Sequence, residues 1–188
     1  MGTSKNVASP DTAPWKPALA VLGKTGVAVP RQLLEIWRSA SADRGHRLLD
    51  DFATPTLAQA CKLASTAPNV ERALTQYDNL LGENKARGLG VEVGRRALLR
   101  AVSQKLGSQG FAAELFAEAT SYYVSRDLPS FVGGRGRVET MSAAMSLKSQ
   151  IGLATRAIVE NYGAPATDNQ GWVRYVSGVL RGLQGGRR

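Results

Sequence analysis

The sequence predicts an all-α protein, a compact bundle of six to eight helices with a flexible N-terminal tail. Three observations lead to that class. Apolar residues recur at spacings of three and four through most of the chain, which is the period of a helix that buries one face. No run alternates apolar and polar residues for long enough to make a strand, and only Val27-Ala28-Val29 and Phe131-Val132 would suit a short one. No period of roughly 20 to 50 residues repeats in register, which sets solenoids aside. With 188 residues and 43% apolar content the chain can close one core. The expected organisation is a flexible tail over 1–17, a single helical domain over 18–184 and a frayed basic end over 185–188.

Met1 to Pro17 holds Ser, Thr, Asn and Asp with Pro10, Pro14 and Pro17 and no apolar period, hence the tail. Trp15, close to two of those prolines, is either an anchor on a neighbouring subunit or an incidental exposed aromatic. Pro30 suits a first helical turn, and Leu33, Leu34 and Trp37 carry that helix to about Ala42. Asp43 to Ala53 reads as a short helix with Leu48, Leu49 and Phe52. Thr54-Pro55 then caps and starts another towards Ser65, with Leu57, Cys61 and Ala64 inward. Pro68 opens a helix with Val70, Leu74, Tyr77 and Leu81, ended by Gly82 or by the Gly88-Leu89-Gly90 turn.

Val91 to Leu106 predicts a basic amphipathic helix. Leu98, Val102 and Leu106 form its apolar side, Arg96 and Arg100 a parallel row, and Arg95 and Lys105 flank that row. Gly107 to Gly110 stop it, and Phe111, Leu115, Ala119 and Tyr122 restart the period with Glu114 and Glu118 outward. A loop over 127–137 follows, containing Pro129, three glycines, Phe131, Arg135 and Arg137. Glu139 to Tyr162 is a long helix with Met141, Ala144, Leu147, Ile151, Ala154, Ile158 and Tyr162 along one face, broken by Gly163 to Pro165. Asp168 caps the last helix, which turns Trp172, Val176, Val179 and Leu183 inward and Arg174 and Arg181 outward.

Several chemistries are missing. One cysteine, Cys61, excludes an intramolecular disulfide, and with His46 as the single histidine the Cys/His zinc frameworks are excluded as well. Leu22-Gly23-Lys24-Thr25 resembles the end of a phosphate-binding loop, but the glycine that loop needs five residues before Gly23 is Ala18. Gly133-Gly134-Arg135-Gly136 lacks the strand, turn and helix of a dinucleotide fingerprint. His46 has Asp43, Asp50 and Asp51 nearby but no marked nucleophile, and Cys61 sits on an apolar face as a small core residue. The chain therefore reads as non-catalytic and without a cofactor. Its longest early apolar run, Ala18 to Leu22, is too short for a signal-peptide core or a membrane span, so a cytoplasmic protein with no membrane partner is expected.

Charge is the informative feature. The chain carries 24 Lys and Arg against 15 Asp and Glu, a net charge of +9. Up to Gly94 there are 11 basic and 9 acidic residues; from Arg95 onwards there are 13 and 6, so the excess is +2 and then +7. The second part uses eleven Arg and two Lys, and the guanidinium fork suits bidentate phosphate contact and stacking on bases. A polyanion-binding surface is predicted from Arg95, Arg96, Arg100 and Lys105 as a ridge and from Arg126, Arg135 and Arg137 around the Gly-rich loop. Tyr122, Tyr123 and Phe131 are candidate stacking platforms, with Tyr123 assigned to the site. No helix-turn-helix is evident, so single-stranded RNA or DNA held by its backbone, without sequence preference, is the expected partner.

A small, basic, all-α chain with this ridge from Lys85 to Lys105 resembles the small helical subunit of class 1 CRISPR–Cas effector complexes. The resemblance is one of architecture and charge. It implies a non-catalytic ribonucleoprotein subunit, several copies of which line other protein subunits and contact target strand or guide through arginines. The other reading of the same surface is a helical interaction or scaffold module that meets an acidic protein partner.

Overall fold

A computed structural model describes Trp37, residues 48–127 and residues 141–184. Among them are seven helices and no strand: α1 (Leu48–Phe52), α2 (Pro55–Thr66), α3 (Val70–Asn84), α4 (Leu89–Ser103), α5 (Gly107–Asp127), α6 (Met141–Glu160) and α7 (Asn169–Leu183). The protein is an all-α bundle, as its periodicity predicts. The tail with Trp15, most of the helix expected from Pro30, His46, the loop with Phe131, Arg135 and Arg137, the two possible short strands and the basic end at 185–188 lie outside the described residues.

Local chemistry sets the helix ends. Thr54 accepts a hydrogen bond from the Leu57 amide at 3.3 Å, and Pro55 occupies the first turn of α2. Asn69, rather than Pro68, caps α3 by accepting from the Arg72 amide at 2.9 Å. Asp168 caps α7 by accepting from the Gly171 amide at 2.8 Å, as predicted. The helix expected to end at Gly82 or at the Gly88-Leu89-Gly90 turn ends between them, at Asn84, and closes with Lys85 in a left-handed conformation, while Gly88 is the residue before α4. Gly107 to Gly110 do not terminate a helix; they begin one. Gly107 takes a φ of +67°, and the hydroxyl of Ser65, at the end of α2, accepts from the Ser108 amide at 2.8 Å. The first turn of α5 is thus capped from another helix.

α5 is the centre of the bundle. Every residue from Phe111 to Thr120 is buried, while α2, α4 and α6 pack along it. Two tryptophans organise the interior, and both are fully buried, as the sequence predicts. Trp37 lies against Phe52, Phe116 and Tyr123 with ring centroids 5.9–6.4 Å apart, and its indole donates to the Thr120 hydroxyl at 3.2 Å. Trp172 meets Phe111 at 6.2 Å and Tyr175 at 5.9 Å, and its indole donates to the Phe52 carbonyl at 2.9 Å. One end of α1 is thereby tied to α7. Cys61 is fully buried beside these groups, and burial pushes its thiol up to about 12, so it is inert core.

α4 approaches its neighbours along small residues. Gly90, Gly94, Ala97 and Ala101 are all buried, and the Tyr77 hydroxyl donates to the Val91 carbonyl at 2.8 Å. The expected apolar side of Leu98, Val102 and Leu106 is only part of the contact: Leu98 is buried, Val102 partly so, and Leu106 lies beyond the helix, 41% exposed. A Cβ on Gly94 would lie 2.5 Å from a Leu57 methyl and 2.7 Å from the Tyr77 hydroxyl oxygen. Gly94→Ala should therefore destabilise by about 1–3 kcal/mol through overpacking, although alanine is the better helix former. Urea unfolding measures this as a lower midpoint at unchanged m value.

Candidate functional site

A groove of about 530 Å³ opens between α4, α5 and α6. Its walls carry Arg96, Leu99 and Arg100 from α4, Lys148, Gly152 and Arg156 from α6, and its floor has Glu118 and Ser121 from α5; Met145 and Ser149 complete the lining. The i, i+4 spacing of Arg96 and Arg100, and of Lys148, Gly152 and Arg156, is what brings each set onto one side of its helix. Gly152, at the middle of the second set, leaves the groove open there.

Beneath these cations lie two carboxylates that the sequence pattern placed outward. Glu114 and Glu118 are buried, at 5% and 9% exposure, because α4 and α6 cover the side of α5 that carries them. Glu114 accepts a hydrogen bond from Arg100 at 3.1 Å and is gripped by Arg156 through Nε and Nη2, the latter at 3.0 Å. Glu118 meets Arg100 at 2.9 Å and Arg96 at 3.9 Å. Burial alone would raise the Glu114 pKa, but the hydrogen bonds and charges of Arg156 and Arg100 outweigh it and hold the carboxyl below its ordinary value. Arg156 is raised in turn, chiefly by its hydrogen bond to Glu114. The network fixes Arg100 and Arg156 from below while Arg96, whose side chain is 69% exposed, keeps only one long contact. Lys148 makes no ion pair among the described residues.

The predicted ridge is thus divided. Arg96 and Arg100 reach the groove, but Arg95 turns to α3 and pairs with Asp78 through two contacts of 3.2 Å. Lys105 stands exposed in the left-handed turn after α4, away from the groove lining. Arg126 lies on α5 two turns beyond Glu118. Tyr123 is corrected: it is fully buried against Trp37, so it cannot stack on a base, whereas Tyr122, taken as the inward residue, is 37% exposed. Lys148 and Arg156 are the cations that sequence reasoning missed; both sit on a helix recognised only by its apolar face.

Among the described residues no group of three or more His, Cys, Asp or Glu is arranged to hold a metal ion, and no helix is long and apolar enough to cross a membrane. The fold and groove define a basic all-α protein with a cleft lined by Arg96, Arg100, Lys148 and Arg156. Compared with family models, curated proteins and solved structures, the chain matches none of them.

A depressed carboxyl pKa stabilises the folded state at pH values above the ordinary one, here 4.5, and that contribution disappears as pH falls through the lower folded value. Glu114→Gln should therefore lower stability by roughly 2–4 kcal/mol near neutral pH, since it leaves Arg156 and Arg100 without their shared charge. The gap between the variant and the natural sequence should narrow as pH drops below 4.5, measured by urea denaturation across a pH series.

Proposed function

We propose that the protein is a non-catalytic binding subunit that holds single-stranded RNA or DNA by its phosphate backbone, without sequence preference, in the groove between α4 and α6. The observation that carries this reading is the convergence of Arg96, Arg100, Lys148 and Arg156 from two helices onto one cleft, over only two carboxylates. Four cations against Glu114 and Glu118 leave an excess of two positive charges on a groove of about 530 Å³. Ser121 and Ser149 add hydroxyl donors along the same lining. The +7 excess after Arg95 supplies the longer-range attraction. A cytoplasmic ribonucleoprotein is the setting we assign to it, with a class 1 CRISPR–Cas effector as the candidate that the helical pattern and charge of the sequence suggest.

A second reading has one observation in its favour. Leu99 and Met145 line the groove and are 42% and 58% exposed, and no aromatic residue accompanies them there among the described residues. An acidic amphipathic protein segment would use both the cations and this apolar pair.

The two readings separate in one experiment. Arg96→Gln with Lys148→Gln should weaken binding of a single-stranded oligonucleotide equally for all sequences. It should also flatten the plot of log affinity against log salt by about 0.7 per lost contact. Arg95→Gln, which faces α3, should leave both quantities unchanged. If no oligonucleotide binds while an acidic amphipathic peptide does, in a manner abolished by Leu99→Ser, the protein-partner reading replaces the first.

A further inference from the structure

The two buried carboxylates are not equivalent. Glu114 lies below the groove lining and is held by two arginines from two different helices; Glu118 forms part of the lining itself, and both of its ion pairs come from α4, with Arg156 of α6 acting on it only at longer range. One nitrogen of Arg100, Nη1, serves both carboxylates, at 3.1 Å from Glu114 and 2.9 Å from Glu118. Arg100 would thus remain anchored by Glu114 if Glu118 lost its charge. Arg96, by contrast, has Glu118 as its only ion-pair partner among the described residues, at a distance of 3.9 Å that is too long for a hydrogen bond.

The geometry points to Glu118 as an internal competitor for the phosphate: its carboxylate meets the guanidinium groups of Arg96 and Arg100 that a backbone phosphate would use on binding. This rests on the reading of the groove as a nucleic-acid site. A carboxylate and a phosphate present the same kind of acceptor to a guanidinium, and neighbouring arginines one helical turn apart can bridge either. In the free protein Glu118 offsets part of the positive charge of Arg96 and Arg100 and holds Arg100 near the floor of the groove. When a strand binds, its phosphate takes over these donors, while Glu118 stays as a nearby like charge that lowers affinity. The groove is tuned by this residue to bind weakly enough to release.

The test uses the full chain and a fluorescent single-stranded oligonucleotide at fixed ionic strength. Glu118→Gln keeps the length of the side chain and a carbonyl acceptor but removes the charge, and should tighten binding about fivefold with the helical circular dichroism preserved. Binding that appears only in the variant would also support the proposal, because the competitor then holds the natural site closed. Unchanged or weaker binding by a folded variant, alongside measurable binding by the natural sequence, overturns the role of Glu118 and leaves the groove reading standing. If neither protein binds, both are overturned. Should the variant lose its helicity, arginine modification of the unsubstituted protein by phenylglyoxal, mapped by mass spectrometry, decides the matter. Saturating oligonucleotide should protect Arg96 and Arg100 together, since those are the donors Glu118 holds; undiminished reaction at both overturns the proposal.

Discussion

Every residue of α5 from Phe111 to Thr120 is buried, and yet two of those ten residues are glutamates. That conflict governs the rest of the structure. Removing a carboxylate from water costs several kcal/mol unless a cation with good geometry replaces the lost hydration. The helices that cover α5 on this side must therefore bring arginines, and they must bring them in register. α4 supplies Arg100 to both carboxylates, and α6 supplies Arg156 to Glu114 through two of its nitrogens. The rotation of each covering helix about its own axis is fixed by this requirement as well as by its apolar contacts. Burial of Ile151, Thr155 and Val159 on α6 follows from the same orientation that points Arg156 at Glu114.

Arginine suits this task better than lysine does. A planar fork bonded to a carboxylate through one edge still has donors directed elsewhere, whereas an ammonium spends its charge at a point. Arg100 and Arg156 are consequently held by the buried carboxylates and still line the groove, with 43% and 26% of their side chains exposed. Their ordering is already complete in the folded protein, so a ligand meeting them there loses little further side-chain entropy. Arg96 and Lys148 are the less constrained pair above them. Stability alone does not call for such an arrangement, because a buried ion network can usually be replaced by well-packed apolar side chains at no loss.

The fold class was legible because helical periodicity survives in nearly every segment and because the end signals are chemically specific: Thr54, Pro55 and Asp168 stand where the helices begin. Trp37 and Trp172 were legible as core from their neighbours. What the pattern concealed has particular causes. A helix buried on more than one side has no single stripe, so the spacing from Phe111 through Tyr122 described one of its buried faces and missed Tyr123. Glu114 and Glu118, one turn apart among alanines, look like an ordinary wet face; the available signal was that 107–124 contains no basic residue, while α4 on one side is rich in arginine. Arg95 and Arg96 were joined in one ridge although adjacent helical positions diverge by about 100°, and the structure sends them to opposite neighbours. The close approach at Gly90 was read as turn chemistry, because glycine signals both a bend and a contact, and that at Gly94 left no mark in the apolar period.

The position of the groove links binding to the integrity of the bundle. α4 and α6 each pack most extensively on α5, so the two walls are joined chiefly through the central helix. The charges on those walls are of one sign, and across the opening they repel. Glu114 reduces that repulsion from below by bridging Arg100 and Arg156, but among the described residues no carboxylate bridges Arg96 and Lys148 at the rim. An anion bridging these two would remove the remaining repulsion and add a tie between α4 and α6. Because such a ligand binds only the folded arrangement of both helices, its binding free energy would add directly to that of folding.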